Sequence, residues 1–226
     1  MQNDYYQNIV YPFQDKVLEV MDKLDIDFYL TGATALSRVY LNHRFSDDLD
    51  FFVNQSNTYK TQVELIINSL RKDNFNIDIS VADSNFSRIF VKDKNVQLKI
   101  DFVNDVPFRE GTSLASQIFK NTDNIFNILS NKVSALSRFL PKDVVDILYI
   151  ALKYDFSWEK IFYDASLKDM WINPIEASKI LDSFPINRID EICWLNEIPD
   201  KNWFKDKLNI LINDIILKNN NTLFSQ

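Results

Sequence analysis

Three aspartates and one glycine carry the chemistry that this sequence can offer. Asp48 and Asp50, in Asp48-Leu49-Asp50-Phe51-Phe52-Val53, stand two apart at the head of a run that becomes fully apolar. On a strand, residues two apart project from one face, roughly 6 to 7 Å apart along the chain, so both carboxylates reach one shared site. Two hard divalent cations about 3.5–4 Å apart, bridged by such carboxylates, would neutralise a triphosphate and activate an attacking hydroxyl for in-line displacement. Magnesium fits that need. An Asp-x-Asp pair is common in an acidic chain, but unpaired carboxylates are costly at the start of an interior strand unless a metal or donors compensate them. Asp101 alternates against apolar neighbours in Val96-Gln97-Leu98-Lys99-Ile100-Asp101-Phe102-Val103. It is a third carboxylate beside the pair, or else a solvated edge-strand aspartate.

The glycine is Gly32, one of only two in 226 residues; the other is Gly111. Average usage of about 7% predicts roughly sixteen. A strand ending at Thr31-Gly32 and running directly into a helix is the arrangement in which backbone amides at a helix start hold phosphate, and glycine permits close approach. Thr34 could add a hydroxyl; an ordinary tight turn is the alternative. Arg44 and Ser46, in the loop leading to the carboxylates, could bind phosphate or orient Asp48, and Arg44 is otherwise a counter-charge for Asp47 or Asp48. A second cluster, Pro141-Lys142-Asp143-Val144-Val145-Asp146, opens a helix and sets Asp143 and Asp146 on one face. Acidic side chains in a first turn also satisfy the helix dipole, so capping explains Asp143 equally well. Lys132 and Arg138 on the preceding helix either face the same cleft or snorkel from an apolar face.

The elements that must hold these residues follow from periodicity. After an amphipathic opening (Val17, Leu18, Met21, Leu24), a strand is expected over 26–30, a short helix over 33–41, a strand over 48–53 and a helix over about 58–72. Three more strands follow, at 75–81, 86–91 and 96–103, separated by Asp/Ser/Asn and Lys/Asp/Asn turns. Beyond Gly111 the pattern is helical alone, over about 124–139, 142–154, 158–165, 175–184 and 201–218, broken near prolines 141, 174, 185 and 199. The first part, over 1–111, reads as an α/β or α+β sheet domain, and the second, over 112–226, as a helical domain.

Composition excludes several alternatives. Cys193 is the only cysteine and His43 the only histidine, which rules out an internal disulfide, a cysteine zinc site and any multi-histidine metal site. Hard oxygen ligands remain. With 46% hydrophobic residues the chain can build a core. No apolar run approaches the roughly 20 residues that span a bilayer, and the N-terminus lacks the order of a signal peptide, so a cytoplasmic location without membrane contact is expected. The net charge of −7 argues against a globally basic nucleic-acid binder. An RNA substrate would need a local patch, for which Arg71, Lys72, Lys92, Lys94 and Lys99 are candidates.

Gly32-Ala33-Thr34-Ala35-Leu36, Arg44-Phe45-Ser46-Asp47-Asp48-Leu49-Asp50-Phe51 and Lys142-Asp143-Val144-Val145-Asp146 together resemble the AbiEii/AbiGii toxin family of nucleotidyltransferases. The resemblance spans about residues 26–150. It implies an α+β fold, a polymerase-beta-like nucleotidyltransferase domain with a mixed sheet followed by a C-terminal helical bundle domain, with nucleotide held between them. By that likeness Asp48, Asp50 and Asp101 bind Mg2+ or Mn2+, and Asp143 joins them as a catalytic residue. Gly32, Ala33, Thr34, Arg44, Ser46, Lys132, Lys142 and Asp146 contact the nucleotide. Ala33 departs from the family's usual second glycine or serine, so a serine hydroxyl for the triphosphate is missing there. The resemblance further implies an NTP substrate, transfer RNA or another RNA as acceptor, and a cognate antitoxin protein as partner. The competing readings are a nucleotidyltransferase acting on a small molecule such as an antibiotic, a non-catalytic nucleotide-binding module, and a structural calcium site.

Overall fold

The computed structural model describes residues 2–93 and 96–225. Lys94, one of the basic residues named above, lies outside them. The chain divides into two compact units, one formed by Met1–Val39 and Phe45–Asn124, the other by Tyr40–Arg44 and Ile125–Gln226. The boundary expected near residue 112 lies inside the first unit.

The first unit opens with α1 (Gln2–Tyr5), a π-helical segment (Tyr6–Val10) and α2 (Tyr11–Asp22). Then come β1 (Tyr29–Thr31), α3 (Gly32–Ala35), a π-helical stretch (Leu36–Leu41), β2 (Leu49–Asn54), α4 (Tyr59–Lys72), β3 (Asn76–Ala82), β4 (Phe86–Asp93) and β5 (Val96–Asp105). Among the described residues the strands form one sheet in the order β1-β2-β5-β4-β3. β2 and β5 run parallel at its centre and the other pairings are antiparallel. The expected α+β architecture, with its mixed sheet, is what the chain adopts. Parallel neighbours need a long crossover, here supplied by α4, β3 and β4.

The two faces of the sheet differ in chemistry because side chains alternate. Leu49, Phe51 and Val53 of β2, Ile100 and Phe102 of β5, and Ile89 and Val91 of β4 are buried on one face. Phe102 sits 5.8 Å from Phe51 and 5.3 Å from Phe28, ring centre to ring centre, and Tyr59 of α4 donates its hydroxyl to the Phe102 carbonyl. Each such phenylalanine contributes roughly 1.5–3 kcal/mol by burial. The opposite face carries Asp50, Phe52, Lys99, Asp101 and Arg88, and register places Asp50, Asp101 and Arg88 side by side.

In the second unit the helices are α5 (Ile125–Ser134), α6 (Pro141–Lys153), α7 (Trp158–Ser166), α8 (Pro174–Asp182) and α9 (Lys201–Leu217). Pro141 and Pro174 occupy first-turn positions, where a missing N–H costs nothing. Asn173 and Asp200 cap α8 and α9 by accepting from the two amides that follow each first residue. Fully buried Trp158, Ile147, Leu148 and Leu211 center its core. Among the described residues, no helix is long and apolar enough to cross a membrane.

Candidate active site

Strand register assembles the carboxylates. Asp50 lies directly across from Asp101 on the parallel β2–β5 pair and from Thr31 on β1. Asp48, just before β2, reaches the Lys99 ammonium at 2.7 Å, and Lys99 also lies 3.8 Å from Asp101. Asp101 accepts a two-pronged pair from Arg88, at 2.7 and 2.8 Å. Partial burial alone would lower the Lys99 ammonium, but Asp48, Asp101 and Asp50 together raise it above its ordinary value. The Asp101 hydrogen bonds likewise raise Arg88. Both cations therefore stay charged over any physiological pH.

Gly32 meets this cluster at its edge. Its φ of +68° is a left-handed conformation that glycine adopts without strain, and a Cβ built there would lie 2.3 Å from Asp50 Oδ2. The glycine is required twice over, by backbone and by space for the carboxylate. Ala33 follows it, half-buried, in the first turn of α3. Thr34 is fully buried; its hydroxyl donates to the Asp48 carbonyl and lies 2.9 Å from Ser46 Oγ. Gln14, also fully buried, donates to the carbonyls of Ser46 and Asp47, 3.0 Å each. Arg38 in turn donates to Gln14 Oε1. The loop that delivers Asp48 is thus tied down from two helices.

The residues singled out around the second motif come together in the other unit. Asp146, with no exposure, accepts from Arg44 Nε and Nη2 at 2.7 Å each, from His43 Nε2 at 2.8 Å and from Lys132 at 2.8 Å. Lys132 also reaches Asp143 at 2.7 Å. Burial on its own would raise the Asp146 carboxyl; Arg44, Lys132 and His43 outweigh it and hold the group well below the usual carboxylate range. Burial pulls His43 below its ordinary value, against the opposing pull of Asp146. The imidazole is neutral at pH 7, its Nε2–H donating to the Asp146 carboxylate and its buried Nδ1 without a hydrogen-bond partner. Two cations and two carboxylates balance here. Lys142 stands apart, exposed on the first turn of α6.

The comparisons with known proteins bear on what this arrangement does. A family model described as the nucleotidyl transferase AbiEii toxin of type IV toxin–antitoxin systems matches residues 17–171. The chain belongs to the AbiEii nucleotidyltransferase toxin family. No curated protein gives a match. Among solved structures, JHP933 from Helicobacter pylori is 21% identical with a TM-score of 0.59, covering 92% of each chain. MenT4, a nucleotidyltransferase toxin from Mycobacterium tuberculosis, is 12% identical with a TM-score of 0.67, covering 95% of this chain and 85% of its own. These likenesses show a shared fold.

The AbiEii resemblance implies a divalent metal, and the donor set fits one. Asp48 and Asp50 offer hard oxygen ligands from one sheet face, and Gly32 leaves the Asp50 carboxylate its room. Among the described residues no three acidic, histidine or cysteine side chains converge as a metal cage. Magnesium is ordinarily held by one or two carboxylates together with substrate phosphates, so two suffice. Gln14, Arg88 and His43 take part in these clusters without having been singled out for them in the sequence. A glutamine on an apolar helix, an arginine on a strand and a lone histidine carry no spacing signal that reveals such partners.

Proposed function

We propose that this AbiEii-family toxin transfers a nucleoside monophosphate from an NTP to a hydroxyl of an RNA acceptor resembling transfer RNA, with Asp48 and Asp50 holding Mg2+ or Mn2+. The observation that supports it most is the pairing of Asp50 with Asp101 on one sheet face, with Asp48 brought to that face beside Lys99 and Gly32 set against Asp50. When bound, the metal neutralises triphosphate charge and favours ionisation of the attacking hydroxyl. The acceptor oxygen forms a bond to the α-phosphorus as the bond to the β-phosphate oxygen breaks and pyrophosphate leaves. Asp101 takes the hydroxyl proton, and Arg88 keeps its oxygens oriented. The backbone at Gly32 and Ala33 lies along the phosphates, while Thr34 and Ser46 position Asp48.

By the family likeness Lys142 is read as a nucleotide contact, and within the helical unit Asp143, Asp146, Lys132 and Arg44 form one buried ion-pair cluster. A cognate antitoxin completes the system, and the cytoplasm is its compartment. Lys92 and Lys99 share the carboxylate face of the sheet, which suits an RNA end; Arg71 and Lys72 lie at the end of α4, which packs on the opposite face. The net charge of −7 favours a second reading, a small cationic acceptor.

Incubation with Mg2+, each α-labelled NTP and total transfer RNA tests the proposal. Wild type labels RNA from one NTP, and Asp48→Ala or Asp50→Asn loses at least 100-fold of that rate. Labelling undiminished in Asp48→Ala, or absent with wild type, refutes it.

A further inference from the structure

The carboxylate trio contains two cations of its own, and their placement is fixed by strand register. Lys99 precedes Asp101 by two residues on β5 and so projects from the same face. The parallel pairing of Leu49 with Ile100 brings the residue before each, Asp48 and Lys99, side by side. Phe90 of β4 stands directly across on the other flank of Lys99. The lysine stem is therefore confined between two strands, and its ammonium lies at 2.7 Å from Asp48 Oδ2 and 3.8 Å from Asp101 Oδ2. Both oxygens of Asp101 are further engaged by Arg88.

A second divalent ion in this trio would have to draw on oxygens of Asp48 and Asp101, the two carboxylates that Lys99 bridges. That place holds the Lys99 ammonium. An ion arriving there must expel a cation from between two carboxylates and break the two-pronged Arg88–Asp101 pair. An ion on Asp48 and Asp50 shares Asp48 with Lys99 but leaves the two-pronged Arg88–Asp101 pair intact.

We propose that Lys99 is the built-in second cation of this centre: seated between Asp48 and Asp101, its ammonium supplies the charge that a second divalent ion gives a two-metal site, so one nucleotide-bound ion suffices. The inference rests on the reading of Asp48 and Asp50 as metal ligands. It assigns Lys99 a role in charge stabilisation of the acceptor hydroxyl, beside its standing as one basic residue of an RNA patch. The charge of a lysine is independent of metal supply, which makes the centre less sensitive to the concentration of free divalent ions.

The test counts metal ions. Wild type, Lys99→Met, Lys99→Arg and Asp50→Asn are titrated with Mn2+ in the presence of a saturating non-hydrolysable NTP analogue, with bound ions counted by electron paramagnetic resonance. We expect one ion per bound analogue for wild type and Lys99→Arg, and two for Lys99→Met. The rate of nucleotide transfer should rise in first order with Mg2+ for wild type. For Lys99→Met it should rise in second order, with at least tenfold more Mg2+ needed for half the maximal rate. Two ions in the wild type overturn the inference, and so does a single ion in a folded Lys99→Met. Should Lys99→Met not fold, the wild-type and Lys99→Arg counts decide alone. Asp50→Asn should bind the Mn2+ analogue complex at least tenfold more weakly. If it binds as tightly as wild type, the carboxylates hold no metal and the underlying reading fails with the inference; if it weakens while wild type carries two ions, only the role of Lys99 fails.

Discussion

Gly32 concentrates two constraints in one atom that is missing. At φ +68° an alanine would be strained by about 1–2 kcal/mol, and its methyl carbon would lie 2.3 Å from the Asp50 carboxylate oxygen. The carboxylate is the movable partner, so the function suffers more than the fold. Gly32→Ala is expected to lower stability by about 1–2 kcal/mol in urea denaturation and to cut nucleotide transfer at least tenfold. An alanine variant with full activity would show that Asp50 need not stand where Gly32 lets it stand. Asp146 illustrates the opposite economy. It is completely buried yet remains ionised because three donors converge on it. Capping was an equally good explanation for the acidic start of α6 in the sequence; in the structure Asp143 pairs with Lys132, and Asp146 gathers groups far from it along the chain.

At the level of elements, the loop from Arg44 to Asp48 depends on two helices outside it, α2 and α3. Gln14 on α2 donates to two of its carbonyls, and Thr34 on α3 donates to a third. Gln14→Leu keeps the volume but leaves the buried Ser46 carbonyl without its donor, at a cost of about 1–3 kcal/mol for an unsatisfied group. We expect it to lower the urea midpoint and to raise the metal concentration needed for nucleotide transfer, because Asp48 loses its fixed position; an unchanged metal requirement would mean that Thr34 alone secures the loop. The strands were legible from alternation: β2 with its buried Leu49, Phe51 and Val53 shows the pattern plainly. The helical start before Val17 was not legible. Tyr6, Val10, Tyr11 and Phe13 are buried there, but a π-helical segment shifts the spacing that a 3.6-residue period would reveal.

For the molecule as a whole, the single histidine makes one titration separable from all others. His43 has its pKa lowered chiefly by burial, so the folded protein declines a proton that the unfolded chain accepts below about pH 6.5. Unfolding is therefore proton-linked in that window, and stability falls as pH drops from 7.5 toward 5.5, with a slope of at most about 1.4 kcal/mol per pH unit. His43→Gln should flatten the curve of urea midpoint against pH over that range. An equal decline in the variant would place the linkage elsewhere. The Asp146 carboxyl, depressed in the folded state, adds stability that is fully present above about pH 4 and is lost only as pH falls further. Acid sensitivity should thus appear in two stages.

The sequence by itself determined the local facts: which runs are strands and helices, that Asp48 and Asp50 share a face, and that a scarce glycine, Gly32, stands where a strand gives way to a helix. Those follow from alternation, turn chemistry and the scarcity of glycine, all of which act over a few residues. Motif order was enough to suggest the AbiEii family. Only the tertiary structure decided who meets whom across long separations. The β2–β5 register set Lys99 beside Asp48 and Asp101, and burial drew His43 and Arg44 to Asp146, about a hundred residues further along the chain. Ion pairing between distant strands and helices depends on register and packing, and neither is written in the spacing of residues along one segment.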